Sequence, residues 1–143
     1  MRDIPLSKSI AELEGIEWPE PSLKQPSALA RCHRLRQVPL SKLGLSDLRA
    51  LIALDVGLEF VMPLALKAVE REPLVEAEHY RGDLLVAMLR VTPAFYRARP
   101  QIRTRVEKVL GLIPAALEEL DQVNFDTSME ALDESITQFR SAS

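Results

Sequence analysis

Few residues in this sequence combine the types and spacing that catalysis requires. Its only cysteine, Cys32, is followed directly by His33, and the second histidine, His79, lies far along the chain. Neighbouring residues on a helix point about 100° apart, which is a poor arrangement for a thiolate and its base. Free cysteines are among the most buried residue types in proteins. We therefore interpret Cys32 as a small core residue rather than a nucleophile.

Two carboxylates form the other arrangement with a chemical use. Asp55 and Glu59 are four residues apart and would share one face if a single helix ran through Gly57. Such a pair can perform acid–base chemistry or bind a divalent cation. We favour a solvated rim, or ion pairs with Arg49 or Lys67, because no third ligand lies at a useful spacing. With no metal motif and no glycine-rich phosphate loop, we predict no catalytic residue, no metal, no cofactor and no enzyme activity.

Charge is distributed unevenly along the chain. The net charge is -3, yet residues 115–139 contain no Lys or Arg and carry -7, which leaves +4 for the rest. A strongly acidic segment repels nucleic-acid phosphates and attracts a basic partner. We expect helices over residues 115–140 to bind a basic protein and not nucleic acid, the alternative being a solvated helix face that aids solubility. The candidate contact residues are Glu118, Glu119, Asp121, Asp126, Glu130, Asp133 and Glu134.

A polar loop between two apolar runs is the second candidate surface. Glu76, Glu78 and Tyr80 offer carboxylates and an aromatic ring, which suit protein recognition. The alternative is a plain connector, in which Tyr80 packs inward and Asp83 caps the following helix. We favour the connector and keep the three residues as secondary contact candidates.

The elements that position these side chains are expected to be helices. Across residues 45–91, apolar residues recur at spacings of three and four in three successive runs, which is typical of helices with one buried face. We predict that Ser46 caps the first run, that Gly57 interrupts, and that Pro73 ends the second. Asp83 is predicted to cap the third. This segment is expected to form the centre of the core.

Local signals elsewhere predict further helices and no strand. Ser9 and Glu12 have the spacing of a capping box. Gly111 and Pro114 predict a break or kink within a later apolar run. Alternation of apolar and polar residues never persists, and β-branched residues are sparse beside Leu and Ala. We predict an all-α fold, in which residues 1–143 form a single compact domain of about seven or eight short helices.

The expected compartment follows from what membrane and secreted proteins require. No apolar run approaches the roughly 20 residues that a membrane-spanning helix needs. The first ten residues, MRDIPLSKSI, contain no apolar core of a signal peptide. A single cysteine cannot form an internal disulfide, which suits a reducing compartment. We expect a cytoplasmic protein with no membrane partner.

Six short motifs occur in the order found in one known family. They are LEGIEWPEP at 13–21, RCHRLR at 31–36, PL at 39–40, LSDLR at 45–49, GLEFVMPLAL at 57–66 and YRGDLL at 80–85. Over about residues 10–91 the chain therefore resembles the immunity proteins of bacterial contact-dependent growth inhibition (CDI) systems. No resemblance is seen from Thr92 onward.

The resemblance implies a small cytoplasmic protein that neutralises the toxic C-terminal domain of a delivered effector by occluding its active site or an exosite. Such toxins are commonly nucleases with basic surfaces, which agrees with the acidic segment. No catalytic residue is implied; the matched residues suit a scaffold, with Trp18 in the core and Gly57 allowing close backbone approach. The alternative function is a helical adaptor or regulatory protein that binds a different basic protein.

Overall fold

The computed structural model describes residues 4–16, 27–119 and 126–142, and these residues are mainly helical with no strand among them. Trp18 and Asp121 lie outside the described residues. A short 3₁₀ turn, Leu40–Lys42, precedes the central helices. The all-α prediction is confirmed. The helices are α1 Ile10–Glu14, α2 Ser27–Leu35, α3 Leu45–Ala53, α4 Leu58–Arg71, α5 Asp83–Leu89, α6 Pro93–Ala98, α7 Pro100–Glu118 and α8 Asp126–Ser141.

The capping box at the start of α1 forms as predicted. The backbone N–H of Glu12 donates to the Ser9 hydroxyl at 3.2 Å, and the Ser9 N–H donates to the Glu12 carboxylate at 3.1 Å. Gly15 ends the helix in the left-handed conformation. The fully buried Arg36 then ties α2 to this helix, because its guanidinium contacts the Glu14 carboxylate at 2.6 Å.

The core is centred on α3, α4 and α5, which pack against one another. The three apolar runs predicted to form this centre are largely buried. α3 and α4 each turn an apolar face inward, and every residue of α5 is buried because α5 packs against both α3 and α8. The prediction that residues 45–91 form the centre of the core is therefore confirmed. Its buried members include Leu48, Leu51, Ile52, Val56, Val61, Met62, Leu66, Val69, Leu84, Leu85, Ala87, Met88 and Val91.

Both helix caps predicted in the central segment are wrong. α3 begins at Leu45, because the Asp47 carboxylate accepts a hydrogen bond from the Gly44 N–H at 3.0 Å, so Ser46 lies inside the first turn. α5 begins at Asp83, whose side chain does not cap the helix. Its carboxylate instead turns back toward the preceding loop, where more donors are available.

The sequence predicts a break or kink in α7, and no break is present. The helix runs without interruption through Gly111 and Pro114. Val106, Val109 and Ile113 are buried on its inner side, whereas Gly111 and Pro114 are exposed. A proline removes one backbone hydrogen bond from a helix interior. Here the buried face keeps the helix continuous despite that loss.

The last helix, α8, docks against α5 and α6. Leu132 and Phe139 are buried, and the Phe139 ring meets Tyr96 edge to face with centroids 4.9 Å apart. The fully buried Ser135 hydroxyl accepts a hydrogen bond from Arg90 Nε at 3.0 Å. Among the described residues, no helix is long and apolar enough to cross a membrane.

Candidate partner-binding site

The acidic residues predicted to bind a partner lie at the end of α7 and on α8. Glu118 and Glu119 are exposed at the C-terminal end of α7. Glu130, Asp133 and Glu134 are exposed on α8, because that helix turns its apolar residues toward α5. Their spacing of three and four residues places these three carboxylates on one helix face.

Two further members of the predicted set remain undescribed as side chains. Asp121 lies outside the described residues, and Asp126 is described only as the first residue of α8. The five described members, Glu118, Glu119, Glu130, Asp133 and Glu134, are called the acidic surface below.

No ion pair within the described part of the chain neutralises the acidic surface. Within the described residues, Glu118, Glu119, Glu130, Asp133 and Glu134 form no ion pair. Like charges at these spacings repel one another by roughly 0.2–0.5 kcal/mol per pair. Negative charge at the C-terminal end of a helix such as α7 is also unfavourable with respect to the helix dipole. These carboxylates therefore lower the stability of the isolated protein. Their negative charge remains available to attract a basic partner.

The second candidate surface, the loop before α5, is held from within by Asp83. This side chain is 2% exposed. Its carboxylate accepts backbone hydrogen bonds from Ala77 at 2.7 Å, Glu78 at 2.9 Å and His79 at 2.8 Å. Three charge-assisted bonds to one carboxylate make this a strongly ordered turn. Asp83 therefore shapes the loop, a role that the sequence did not reveal.

Glu78 is tied to the body of the protein by two arginines. Arg31 Nη1 lies 2.7 Å from its carboxylate, and Arg49 Nη2 lies 3.0 Å from the other oxygen. Hydrogen bonds from Arg31 and then Arg49 lower the pKa of Glu78 below its ordinary value. Its charge is thus largely compensated inside the chain, unlike the charges of the acidic surface.

The other two loop candidates differ from Glu78. Glu76 is exposed, and its backbone pairs with Arg81 across the loop. Tyr80 is partly buried and packs against the core, as the connector interpretation predicts. Glu76 is therefore the loop carboxylate most open to a partner.

The residues weighed for catalysis are not brought together. Cys32 is buried, as predicted, with its sulfur 3.6 Å from the Ala50 carbonyl oxygen, and burial raises the pKa of its thiol. Asp55 lies between α3 and α4 in the left-handed region, at φ 55°, so it shares no helix with Glu59. Among the described residues, no group of three or more His, Cys, Asp or Glu side chains is placed to hold a metal ion.

The structural roles of several basic residues were not predicted from the sequence. The ion pairs of Arg31 and Arg49 join positions 47 and 29 residues apart, which no local pattern reveals. A compositional signal did exist for another group: residues 90–108 contain six basic side chains against one acidic. This basic stretch covers α6 and the first half of α7.

Together these features define a small all-α protein with an exposed acidic surface that no ion pair neutralises within residues 4–16, 27–119 and 126–142. The family model of the CDI immunity proteins matches residues 12–106, which is more than half of the chain, and the protein belongs to this family. The match confirms the resemblance seen in the sequence and extends it past residue 91, through α6 into α7. Searches of curated proteins and of solved structures gave no match. Membership of this family assigns the protein a toxin-neutralising immunity role.

Proposed function

We propose that this immunity protein neutralises a nuclease toxin by binding the basic surface of its C-terminal domain through the acidic surface. The observation that carries the proposal is the absence of ion pairs to Glu130, Asp133 and Glu134 within the described residues. A nuclease needs positive charge to bind the phosphates of its substrate. Carboxylates on a helix can occupy the same positive sites and exclude the substrate.

The charge pattern also favours rapid association. Complementary charges on two proteins accelerate their encounter and suppress wrong partners. An immunity protein must capture its toxin before the toxin reaches its substrate. Exposed carboxylates that repel one another in the free protein are relieved of that repulsion when a basic surface covers them.

The position of the acidic surface in the chain supports a role in specificity. The family match ends at residue 106, and every residue of the acidic surface lies beyond it. The matched part contains the core helices α3, α4 and α5. A common helical scaffold followed by an acidic end outside the family match suits a family whose members recognise different toxins.

The proposed inhibition needs no catalysis by this chain. We infer that it acts as a stoichiometric, non-enzymatic inhibitor in the cytoplasm, where a nuclease toxin would meet its substrate. Glu76 and Tyr80 are secondary contacts in this proposal. Glu78 would contribute through the shape of the loop, because its carboxylate is already held by Arg31 and Arg49.

The direct test is co-expression with the toxin domain encoded beside this gene. We expect growth to be protected and the two proteins to co-purify as a stable complex. Growth arrest without a complex would refute the pairing and favour a helical adaptor with another partner.

The acidic surface is tested by a matched pair of charge reversals. Glu134→Lys should weaken toxin binding and flatten its dependence on salt, whereas Glu59→Lys makes the same change at an exposed site outside the surface. Equal affinities and equal salt dependences for the two variants would show that the interface lies elsewhere. Inhibition assayed at increasing concentrations of the toxin's nucleic-acid substrate distinguishes occlusion of the active site from binding at an exosite, because only active-site occlusion is relieved by substrate.

A further inference from the structure

A second surface of opposite charge lies at the other end of α8. There a cleft of about 200 Å³ opens between the end of α5, α6, the start of α7 and the last turn of α8. Arg90, Arg97 and Arg103 line it, each from a different helix or helix end, and Tyr96 and Phe139 form part of its wall. None of its lining residues is acidic. Three arginines from separate parts of the chain therefore line one small cavity.

The three arginines differ in how they are held. Arg90 is positioned by its Nε donor to the buried Ser135 hydroxyl. Arg103 lies over the Phe139 ring, 4.9 Å from its centroid, and 4.0 Å from Glu107, a carboxylate that also contacts Arg140. Neither Arg90 nor Arg97 forms an ion pair with another described residue. The cleft consequently has an excess of positive charge.

The wall of the cleft is rigid enough to preorganise these groups. Tyr96 and Phe139 are both buried and pack edge to face. The Tyr96 hydroxyl donates to the Met88 carbonyl oxygen, which fixes the ring against α5. A preorganised site loses little side-chain entropy when a ligand binds.

We propose that this cleft binds one carboxylate side chain, Asp or Glu, on the surface of the cognate toxin. The inference rests on the proposed function and adds a second contact of opposite sign to it. Guanidinium groups pair with carboxylates through two parallel hydrogen bonds. The cavity of about 200 Å³ has room for such a side chain. The toxin is thus held by a basic patch against the acidic surface and by an acidic residue in the cleft.

The neighbouring charge favours a protein carboxylate over nucleic acid. Gln138 lines the cleft and Glu130 lies eight positions earlier on α8, which corresponds to about 12 Å along a helix. A nucleic-acid backbone following this helix would meet the acidic surface within a few nucleotides. A protein surface carrying both signs of charge fits both ends of α8, and such a pattern also fixes the orientation of docking.

Arg97→Glu is the decisive variant, because Arg97 is exposed and its replacement leaves the core untouched. We expect this reversal to weaken binding of the toxin domain by at least about tenfold, as for loss of a close interfacial charge pair. Arg34→Glu, the same change at an exposed position of α2, should bind as the wild type does. Equal affinities for the two variants would overturn the proposal.

A charge exchange identifies the partner residue. Each exposed Asp or Glu of the toxin domain is changed to Lys and titrated against the wild type and against Arg97→Glu. One toxin variant should bind the wild type weakly and regain affinity with Arg97→Glu. Failure of every toxin variant to regain affinity would refute a carboxylate in the cleft.

Two other outcomes separate this inference from the proposed function. If Glu134→Lys weakens the complex and Arg97→Glu does not, the proposed role of the acidic surface is supported and the proposed role of the cleft is refuted. If the wild type forms no complex with the toxin domain, both fail. Loss of binding to a short RNA oligonucleotide in Arg97→Glu, with toxin affinity unchanged, would instead assign the cleft to nucleic acid.

Discussion

The side chain of Ile10 packs so closely over Gly57 that a Cβ atom at position 57 would lie 2.8 Å from the Ile10 Cδ1. Ile10 is fully buried in α1, and Gly57 adopts a left-handed conformation, at φ 62°, immediately before α4. Glycine is therefore required here for two reasons, the conformation of the backbone and the space above it. The close approach predicted from the sequence at this position is confirmed.

Replacement of two glycines by alanine should separate these two requirements. Gly57→Ala should lower the free energy of unfolding by about 2–4 kcal/mol, because it adds overpacking to backbone strain. Gly15→Ala, at φ 67° but with no atom near its Cβ position, should cost only about 1 kcal/mol. Urea denaturation measures the free energy of unfolding of both variants. Equal losses would mean that the Ile10 side chain moves aside at no cost in free energy.

Gly111→Ala should have the opposite sign. Gly111 lies inside α7 with open space around its Cβ position. Alanine loses less backbone entropy in a helix than glycine, so we expect stabilisation by about 0.5–1 kcal/mol. A loss of stability in urea denaturation would show that α7 requires glycine at this position, as it would if the helix were kinked there.

Asp83→Asn tests the internal support of the loop before α5. The amide retains one acceptor oxygen in place of two and carries no charge, so at least one of the N–H groups of Ala77, Glu78 and His79 loses its partner. We expect a loss of about 1–3 kcal/mol in the free energy of unfolding. Faster hydrogen exchange at these three amides should accompany it.

The matched control for this variant is Asp133→Asn, on the exposed face of α8. It should leave loop exchange unchanged and should raise stability slightly, if at all, because it removes repulsion from neighbouring carboxylates. Unchanged exchange at the loop amides in Asp83→Asn would show that the turn does not depend on the carboxylate.

The ion pair between Glu70 and Arg105 should make stability depend on pH. Arg105 contacts both oxygens of the Glu70 carboxylate, at 2.6 and 3.0 Å, and these hydrogen bonds lower the pKa of Glu70. A carboxylate whose pKa is lower in the folded state stabilises the protein above the unfolded value of about 4.3, and this contribution disappears as pH falls through the folded value.

Glu70→Gln should therefore be less stable than the wild type at pH 7, with a difference that shrinks below about pH 4. Chemical denaturation at pH 7 and at about pH 3 measures it. Glu59→Gln, which removes a carboxylate with no ion pair among the described residues, should show no such trend. A difference that persists at low pH would contradict the assignment.

Cys32 should be unreactive in the folded protein. Its thiol is buried and its raised pKa keeps it protonated at neutral pH, whereas the thiolate is the reacting species. Ellman's reagent should label it only after unfolding in urea. Rapid labelling of the native protein would contradict burial, and loss of toxin protection in Cys32→Ala with unchanged stability would reopen a chemical role.

The sequence alone determined the features that depend on residues close together in the chain. The capping box of Ser9 and Glu12 forms, and the apolar runs of residues 45–91 become buried helix faces, because helical contacts join positions three and four apart. The acidic surface was found in the same way, since a charge excess with no local compensation is visible in composition. Family membership also followed from ordered local motifs.

Tertiary structure decided which competing partner each polar group takes. Asp83 could cap a helix, yet the loop offers it three donors and the buried carboxylate turns there. The charge of Glu78 is paired with that of Arg31, which lies 47 residues away in the chain. The basic cleft exists only because separate helices bring Arg90, Arg97 and Arg103 to one cavity. Local propensity cannot decide such cases, because the free energies come from contacts that packing alone creates.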